Sequence, residues 1–290
     1  MLLTKAFQQG TGFPGHGSAQ SPNLTNPCPD VHDTRRMPLT GVIVVDKPQG
    51  WTSHDVVAKA RGLLRERSIG HLGTLDPMAT GVLPLVIGKM TRLSQFYSDS
   101  VKAYEGLIRF GFATDTYDAD GDQVGDVSEV KVTLEEVQAT ARFFVGKLQQ
   151  VPPAFSAKKI AGVPAYKFAR RRQSVELQPV PVEVFALEIL GAGQPDLCAF
   201  RCRVSSGTYV RAIAHELGAR LGCGAHLAAL RRTAVAEFAI EQAHSLEEVA
   251  AAAAEEGIAA LAVHPRLILP GIPSVTAGDE ALSRIRTVVP

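Results

Sequence analysis

Apolar side chains along this chain come as short β-branched runs alternating with stretches of helical spacing, and polar or glycine-rich breaks separate them. Residues 1–36 show neither period and are rich in Gly, Pro, Ser, Asn and Gln. Such a segment cannot bury enough surface to offset the entropy of ordering, so a disordered extension is expected there. The pattern starts with GVIVVDK from Gly41, a β-branched strand that turns at Lys47-Pro48-Gln49-Gly50. A helix then follows, capped by Thr52 or Ser53, with Val56, Val57, Ala60, Leu63 and Leu64 on one face. Val82 to Gly88, reading VLPLVIG, predicts a buried strand. Within Lys102 to Asp122, Leu107, Ile108, Phe110 and Phe112 predict a strand entering a tight turn at Asp120-Gly121. Thr133 with Glu136 predicts a capping box for a helix reaching about Gly146. Leu197 to Gly222 reads as a strand, a turn at Ser205-Ser206-Gly207, and a helix with Val210, Ile213, Ala214, Leu217 and Leu221 inward. Ser245 and Glu248 form another capping box, opening an Ala-rich helix expected to end near His264.

Composition narrows the class. At 290 residues and 46% hydrophobic content the chain can build one large or two modest domains with a real core. A formal net charge of +1 gives no global attraction for nucleic acid, so any RNA surface must come from local clusters of Lys and Arg. Cys28, Cys198, Cys202 and Cys223 have neither a CxxC pair nor a zinc spacing, which predicts reduced thiols, no structural metal and a cytoplasmic protein. No run approaches the length needed to cross a bilayer, and no signal-peptide pattern is visible, so no membrane partner is expected.

The densest candidate chemistry lies in GHLGTLDPMATGVLPLVIG, Gly70 to Gly88. Pro77 pushes Asp76 toward an extended backbone, and the flanking glycines allow turns or close approach to a ligand. Asp76 is thus either an Asp-Pro turn residue or a presented carboxylate nucleophile. His71, five residues earlier, could be a general base, a metal ligand or a loop donor, and no second His or Cys at ligand spacing supports the metal. Arg61, Arg65 and Arg67 crowd the end of the first helix, where they complement its dipole or meet phosphate. The acidic DADGD fails the EF-hand spacing, because Val127 stands where the twelfth-position Glu belongs. Gln149 to Gln173 interleaves Lys and Arg with Phe155, Tyr166 and Phe168, a composition suited to following phosphates while packing on ribose or base.

The string GHLGTLDPMATGVLPLVIGKMT resembles the motif around the catalytic aspartate of the TruB family of tRNA pseudouridine synthases. DKP-G-TS from Asp46, the KxYEG-like KAYEG from Lys102, GTYVR from Gly207 and HLAALRRTAVAEF from His226 extend the resemblance over roughly residues 38–275. It implies an α+β fold with a mixed, largely antiparallel sheet, flanking helices and a central RNA-binding cleft. The implied catalytic residues are Asp76, Tyr209 and Arg211, with Arg211 holding Asp76 bidentately and keeping it ionised. Tyr104, His71 and Leu230 would contact the flipped uridine and its surroundings, and Lys47 would support the catalytic loop and belong to the substrate site. Lys158, Lys159, Arg170, Arg171 and Arg172 would grip RNA from an insertion at about 149–180, and Arg231 and Arg232 would meet phosphate or solvent. The implied organisation is a catalytic domain over 37–240 and a C-terminal helical segment over 241–290. After its helical spacing ends, that segment has space for a strand and a helix, so the small β-rich PUA domain of many bacterial relatives is expected to be truncated or absent. The expected activity isomerises the T-loop uridine of tRNA (uridine-55) by base flipping. It needs no cofactor, since cleaving N1 from the ribose and rejoining through C5 involves no net redox change. The partner is the tRNA T-arm, and the enzyme would be a monomer without an obligate protein partner. An adduct at the base, an adduct at the ribose and a glycal route all stay open. So do an RNA-binding protein that has lost the reaction, an aspartate hydrolase and a guide-RNA-dependent relative.

Overall fold

The computed structural model describes residues 39–284 apart from 157, 161, 170, 172, 174–176, 192, 193, 195, 274, 276, 279 and 280; the expected N-terminal extension and Cys28 lie outside the described residues. In chain order the elements are β1 (Gly41–Lys47), α1 (Ser53–Leu64), β2 (Ile69–His71), β3 (Thr80–Ile87), β4 (Lys102–Phe110), β5 (Ala113–Thr114), β6 (Gln123–Val124), α2 (Leu134–Ala141) and β7 (Gly146–Gln150). They continue as β8 (Lys159–Ile160), β9 (Val163–Pro164), α3 (Ala165–Ala169), β10 (Val180–Gly191), β11 (Leu197–Val204), α4 (Val210–Arg220), β12 (Ala225–Val235), β13 (Phe238–Ala239) and α5 (Leu246–Ala254).

Nine strands form one sheet in the order β1-β3-β12-β4-β11-β10-β7, with β2 added to β3 and β13 to β12. Among the described strand pairs of this sheet only β12–β3 is parallel, so the sheet is mixed and largely antiparallel as expected. The apolar runs of β1 and β3 arise because both their faces are covered. Ile43, Val45, Leu83, Leu85 and Ile87 pack under α1 and α5, whereas Val42, Val44, Val82 and Val86 meet Tyr97 and Phe238 on the opposite face. In β4 alternate residues are buried, and that face packs with α2 and α4 over β11 and β12. Both expected capping boxes form, at Thr133–Glu136 and Ser245–Glu248, and Thr52 rather than Ser53 caps α1, in a third box with Asp55.

Several element ends differ from the pattern. α2 stops at Ala141, and a 3-10 turn over Arg142–Phe144 buries Phe144 before Gly146 opens β7, which must run back along β10. α5 stops at Ala254, because Glu256 takes a left-handed φ of 58° and a second 3-10 turn then buries Ile258 against α1. β4 ends at Phe110, and the acidic turn belongs to the separate β5–β6 hairpin. Residues beyond 240 stay tied to the sheet, with His244 beside Val45 and Ala262 beside Ile43.

The parallel β3–β12 contact depends on Gly81. Its φ is +102°, and a Cβ there would lie 2.2 Å from the Arg232 carbonyl oxygen. Backbone must shift to admit any side chain. Gly81→Ala is therefore expected to cost about 2–4 kcal/mol, combining backbone strain with overpacking. Urea unfolding at constant m checks this, and a midpoint equal to the parent's would show that the two strands part easily there.

Candidate active site

An open cleft of about 310 Å³ lies between the 72–79 loop, β4, the start of α4 and the 3-10 helix Gly88–Tyr97. Its lining includes Asp76, His71, Tyr104, Tyr209, Arg211 and Leu230. The structure thus brings together residues up to 159 positions apart in sequence, the separation of Gly73 from Arg232 beneath the same loop.

The loop is held from below through its own backbone. Ser53, buried at the start of α1, donates to Leu75 O at 3.3 Å and accepts from Leu75 N at 2.8 Å. Pro77 O accepts from Gly50 N at 2.8 Å and from Lys47 Nζ at 3.3 Å. Arg232 Nη2 donates to Gly73 O at 2.9 Å, Nη1 to Thr74 O at 3.2 Å and Nε to Val82 O at 2.8 Å. The residues on both sides of Asp76 are therefore fixed before any substrate arrives, which is the condition for a preorganised reactive group.

Lys47 keeps its expected place beneath the loop but lies away from substrate, and Arg231 and Arg232 are both engaged within the protein. Lys47 is wholly buried and spends its three donors on Pro48 O, Trp51 O and Pro77 O, so it supports the loop and does not reach substrate. Burial lowers its pKa to about 8. Arg232 is wholly buried and unavailable to phosphate, because its register partner across the sheet is Tyr104 and cross-strand partners share a face. Arg231, on the other face, is occupied by a two-point pair with Asp46 at 2.7 and 3.0 Å.

Asp76 Oδ2 lies 3.2 Å from Arg211 Nε. The contact uses one oxygen and its N–H is not aligned as a hydrogen bond, so it is a charge contact and not the expected bidentate fork. The guanidinium is shared: Nη1 reaches Thr116 O at 3.2 Å and Asp118 Oδ2 at 3.4 Å, and Nη2 reaches Phe155 O at 2.6 Å. Arg211 stands in the first turn of α4, where the helix dipole disfavours a cation, and its side chain is only 6% exposed. These carboxylates and carbonyls supply the compensation. Tyr209 precedes that turn, and its backbone is clamped by the buried Gln150, whose Oε1 accepts from Tyr209 N at 2.8 Å while Nε2 donates to Tyr209 O at 3.1 Å.

The Asp76 side chain is 42% exposed to the cleft yet lies among poorly solvating neighbours. Desolvation raises its pKa above the ordinary aspartate range, Arg211 opposes this, Asp118 adds to it and Lys47 opposes it again. The expected ionising effect of Arg211 is present but is outweighed. Desolvation likewise raises Tyr209, against Ser156 and Arg211, so its phenol is neutral at neutral pH. His71 ends β2 instead of lying in a loop, and burial, His54 and Arg232 lower its pKa, keeping the ring neutral at pH 7.

In the basic insertion, Lys158 and Arg171 are exposed, Lys159 lies in β8, and Arg170 and Arg172 lie outside the described residues. Sequence reasoning missed Ser53, Gln150 and the pairing role of Asp118. Only the hydroxyl at a helix start and the acidic DTYDADGD turn signalled any of them.

The family model described as TruB family pseudouridylate synthase (N-terminal domain) matches residues 61–210, and that of the tRNA pseudouridylate synthase B C-terminal domain matches residues 211–270. A protein from Solibacter usitatus named tRNA pseudouridine synthase B is 49% identical over 248 residues, covering 86% of this chain and 84% of that protein. The same name is carried by a relative from Opitutus terrae, 48% identical across 74% of this chain and 89% of its own length. One from Geobacter sulfurreducens is 41% identical across 87% and 83%. Among solved structures, a Cbf5-Nop10-Gar1 complex contains a chain that is 28% identical with a TM-score of 0.64, covering 86% of this chain and 68% of that one.

Proposed function

Because this chain belongs to the TruB family of pseudouridylate synthases, we propose that it isomerises uridine in the tRNA T-loop, at position 55, with Asp76 as the nucleophile. The observation that carries this reading is the Asp76 carboxylate, presented to the Tyr104–Leu230–Tyr209 cleft on a fixed loop and touched by a buried guanidinium. Flipping the uridine costs a few kcal/mol in lost stacking and pairing. Packing on Tyr104 and Leu230 offsets this cost, since stacking on an aromatic ring contributes about 1–3 kcal/mol per base.

Ionised Asp76 then attacks the nucleotide as the N1 glycosidic bond breaks, the base turns within the cleft, and C5 takes over the bond to the ribose while the bond to Asp76 breaks and returns the free carboxylate. Arg211 compensates the negative charge on Asp76, while the loop anchors at Leu75 and Pro77 keep the carboxylate from rotating away. The proton on C5 leaves last. Tyr209 is the nearby base, and since its phenol is neutral at rest, its own proton passes through the open cleft to N1, freed from the ribose, as the phenol oxygen takes the one from C5. Lys158 and Lys159 follow the RNA backbone, and the enzyme works in the cytoplasm as a monomer. Relatives at 41–49% identity that share the name tRNA pseudouridine synthase B favour this stand-alone activity over a guide-dependent one.

The test is tritium release from C5-labelled uridine in an unmodified tRNA transcript, beside a transcript in which the T-loop uridine is replaced by cytidine. Release from the first and none from the second is expected. Equal release from both would move the target elsewhere, and none from either would remove the assignment. The raised Asp76 pKa also fixes the sign of the pH dependence. Release should fall on acidification while the pH is still above the ordinary aspartate range, as the carboxylate takes up its proton.

A further inference from the structure

The cleft holds a cation with no part in that chemistry. Lys102 opens β4 two residues before Tyr104, so both side chains stand on the same face of the strand, and both line the cleft. Lys102 is only 9% exposed. Its ammonium has three donors and makes one hydrogen bond, to Ser100 O at 3.0 Å. It belongs to none of the ion pairs found among the described residues. A second cation crowds it: a Cβ on Gly73 would lie 3.2 Å from Lys102 Cε and 3.6 Å from Arg232 Nη1. Desolvation, followed by repulsion from Arg232, lowers its pKa to about 8, and Asp99 offsets only part of this. A buried cation beside another cation, without a carboxylate in contact, is costly. Packing alone would be served at lower cost by an apolar residue.

We propose that Lys102 is an anion subsite of the cleft, binding a phosphodiester that flanks the nucleotide packed on Tyr104. Two residues along a strand span about 7 Å, which sets the ammonium beside the base and not against its face. The exposed hydroxyl-bearing residues Ser94 and Ser98 complete that end of the cleft, on the side of the 3-10 helix. The assignment rests on the RNA reading above and adds a contact to it.

The experiment measures binding of T-arm RNA by the full-length parent, Lys102→Met and Lys102→Arg across a salt series. It is repeated with a methylphosphonate at either phosphate beside the target uridine. Lys102→Met is expected to weaken binding about 10-fold to 100-fold and to flatten the log Kd against log salt slope by about 0.7–0.9. Lys102→Arg should keep the parent's slope. One neutral phosphate should weaken the parent but not Lys102→Met. Thermal melting no lower than the parent's is expected for Lys102→Met and separates the contact from misfolding. An unchanged slope with unchanged methylphosphonate sensitivity in Lys102→Met would overturn the subsite. A parent that binds the RNA but releases no tritium would overturn the synthase reading alone, and a parent that does not bind would overturn both.

Discussion

The Asp76→Asn substitution is expected to lower kcat/KM on T-arm RNA by about four orders of magnitude or more, the scale on which covalent enzymes lose rate when their nucleophile is removed. The amide has nearly the shape of the carboxylate but cannot attack carbon, while Tyr104, Leu230 and the basic insertion are untouched, so RNA affinity should change little. Stability should move the other way from activity. The pKa of Asp76 is higher in the folded chain than in the unfolded one. Between those two values the unfolded chain is the more ionised, so the fold loses stability as pH rises through that window and does not regain it above. An uncharged amide escapes this cost. Melting at pH 7 should therefore show the variant at or above the parent's midpoint, and a marked drop would mean that Asp76 serves the fold through Arg211.

Arg211→Met is expected to damage both rate and stability. Asp118 is buried against the guanidinium, and removing one partner of a buried pair typically costs about 3–5 kcal/mol because the other charge is stranded. Thr116 O and Phe155 O lose a donor as well. With its nearest compensating charge gone, Asp76 should hold its proton to still higher pH, and kcat should fall by about 100-fold to 1000-fold, as when one preorganised electrostatic donor is removed. Adding Asp118→Asn should restore part of the stability but not the rate, by neutralising the stranded charge. Arg211→Lys keeps the charge and loses the planar fork that serves Asp76, Asp118 and Phe155 together, so its rate should stay well below the parent's. Urea unfolding and pH–rate profiles of the three variants check these expectations.

Local physics made much of this molecule readable in advance. The covered strands declare themselves as VIVV and VLPLVI, two capping boxes and the Thr52-Ser53 pair mark three helix starts, and Pro77 with its glycines singles out Asp76 as presented. What stayed hidden depends on which residues meet across the fold. Arg231 and Arg232 read alike as a basic pair, yet strand alternation turns one toward Asp46 and buries the other beneath the catalytic loop. Lys47 holds the catalytic loop as the DKP motif implies, but the motif does not report that Trp51 and Pro77 close over it and keep it from substrate. Gln150 and Ser53 act on backbone atoms far along the chain, and no period or spacing reports such contacts. The helix ends were misjudged for a related reason. The residues directly after α2 and α5, Arg142-Phe143-Phe144 and Glu255-Glu256, do not themselves stop a helix, but β7 and the 3-10 turn at Ile258 are imposed by their partners in the sheet and core.

The central claim is that a preorganised Asp76 performs the chemical step on RNA. Single-turnover release of tritium from C5-labelled T-arm uridine, run on the parent and Asp76→Asn with binding followed in the same samples, tests it most directly. Release by the parent, none by the variant and equal binding by both is the predicted result. Comparable release by the variant would contradict it.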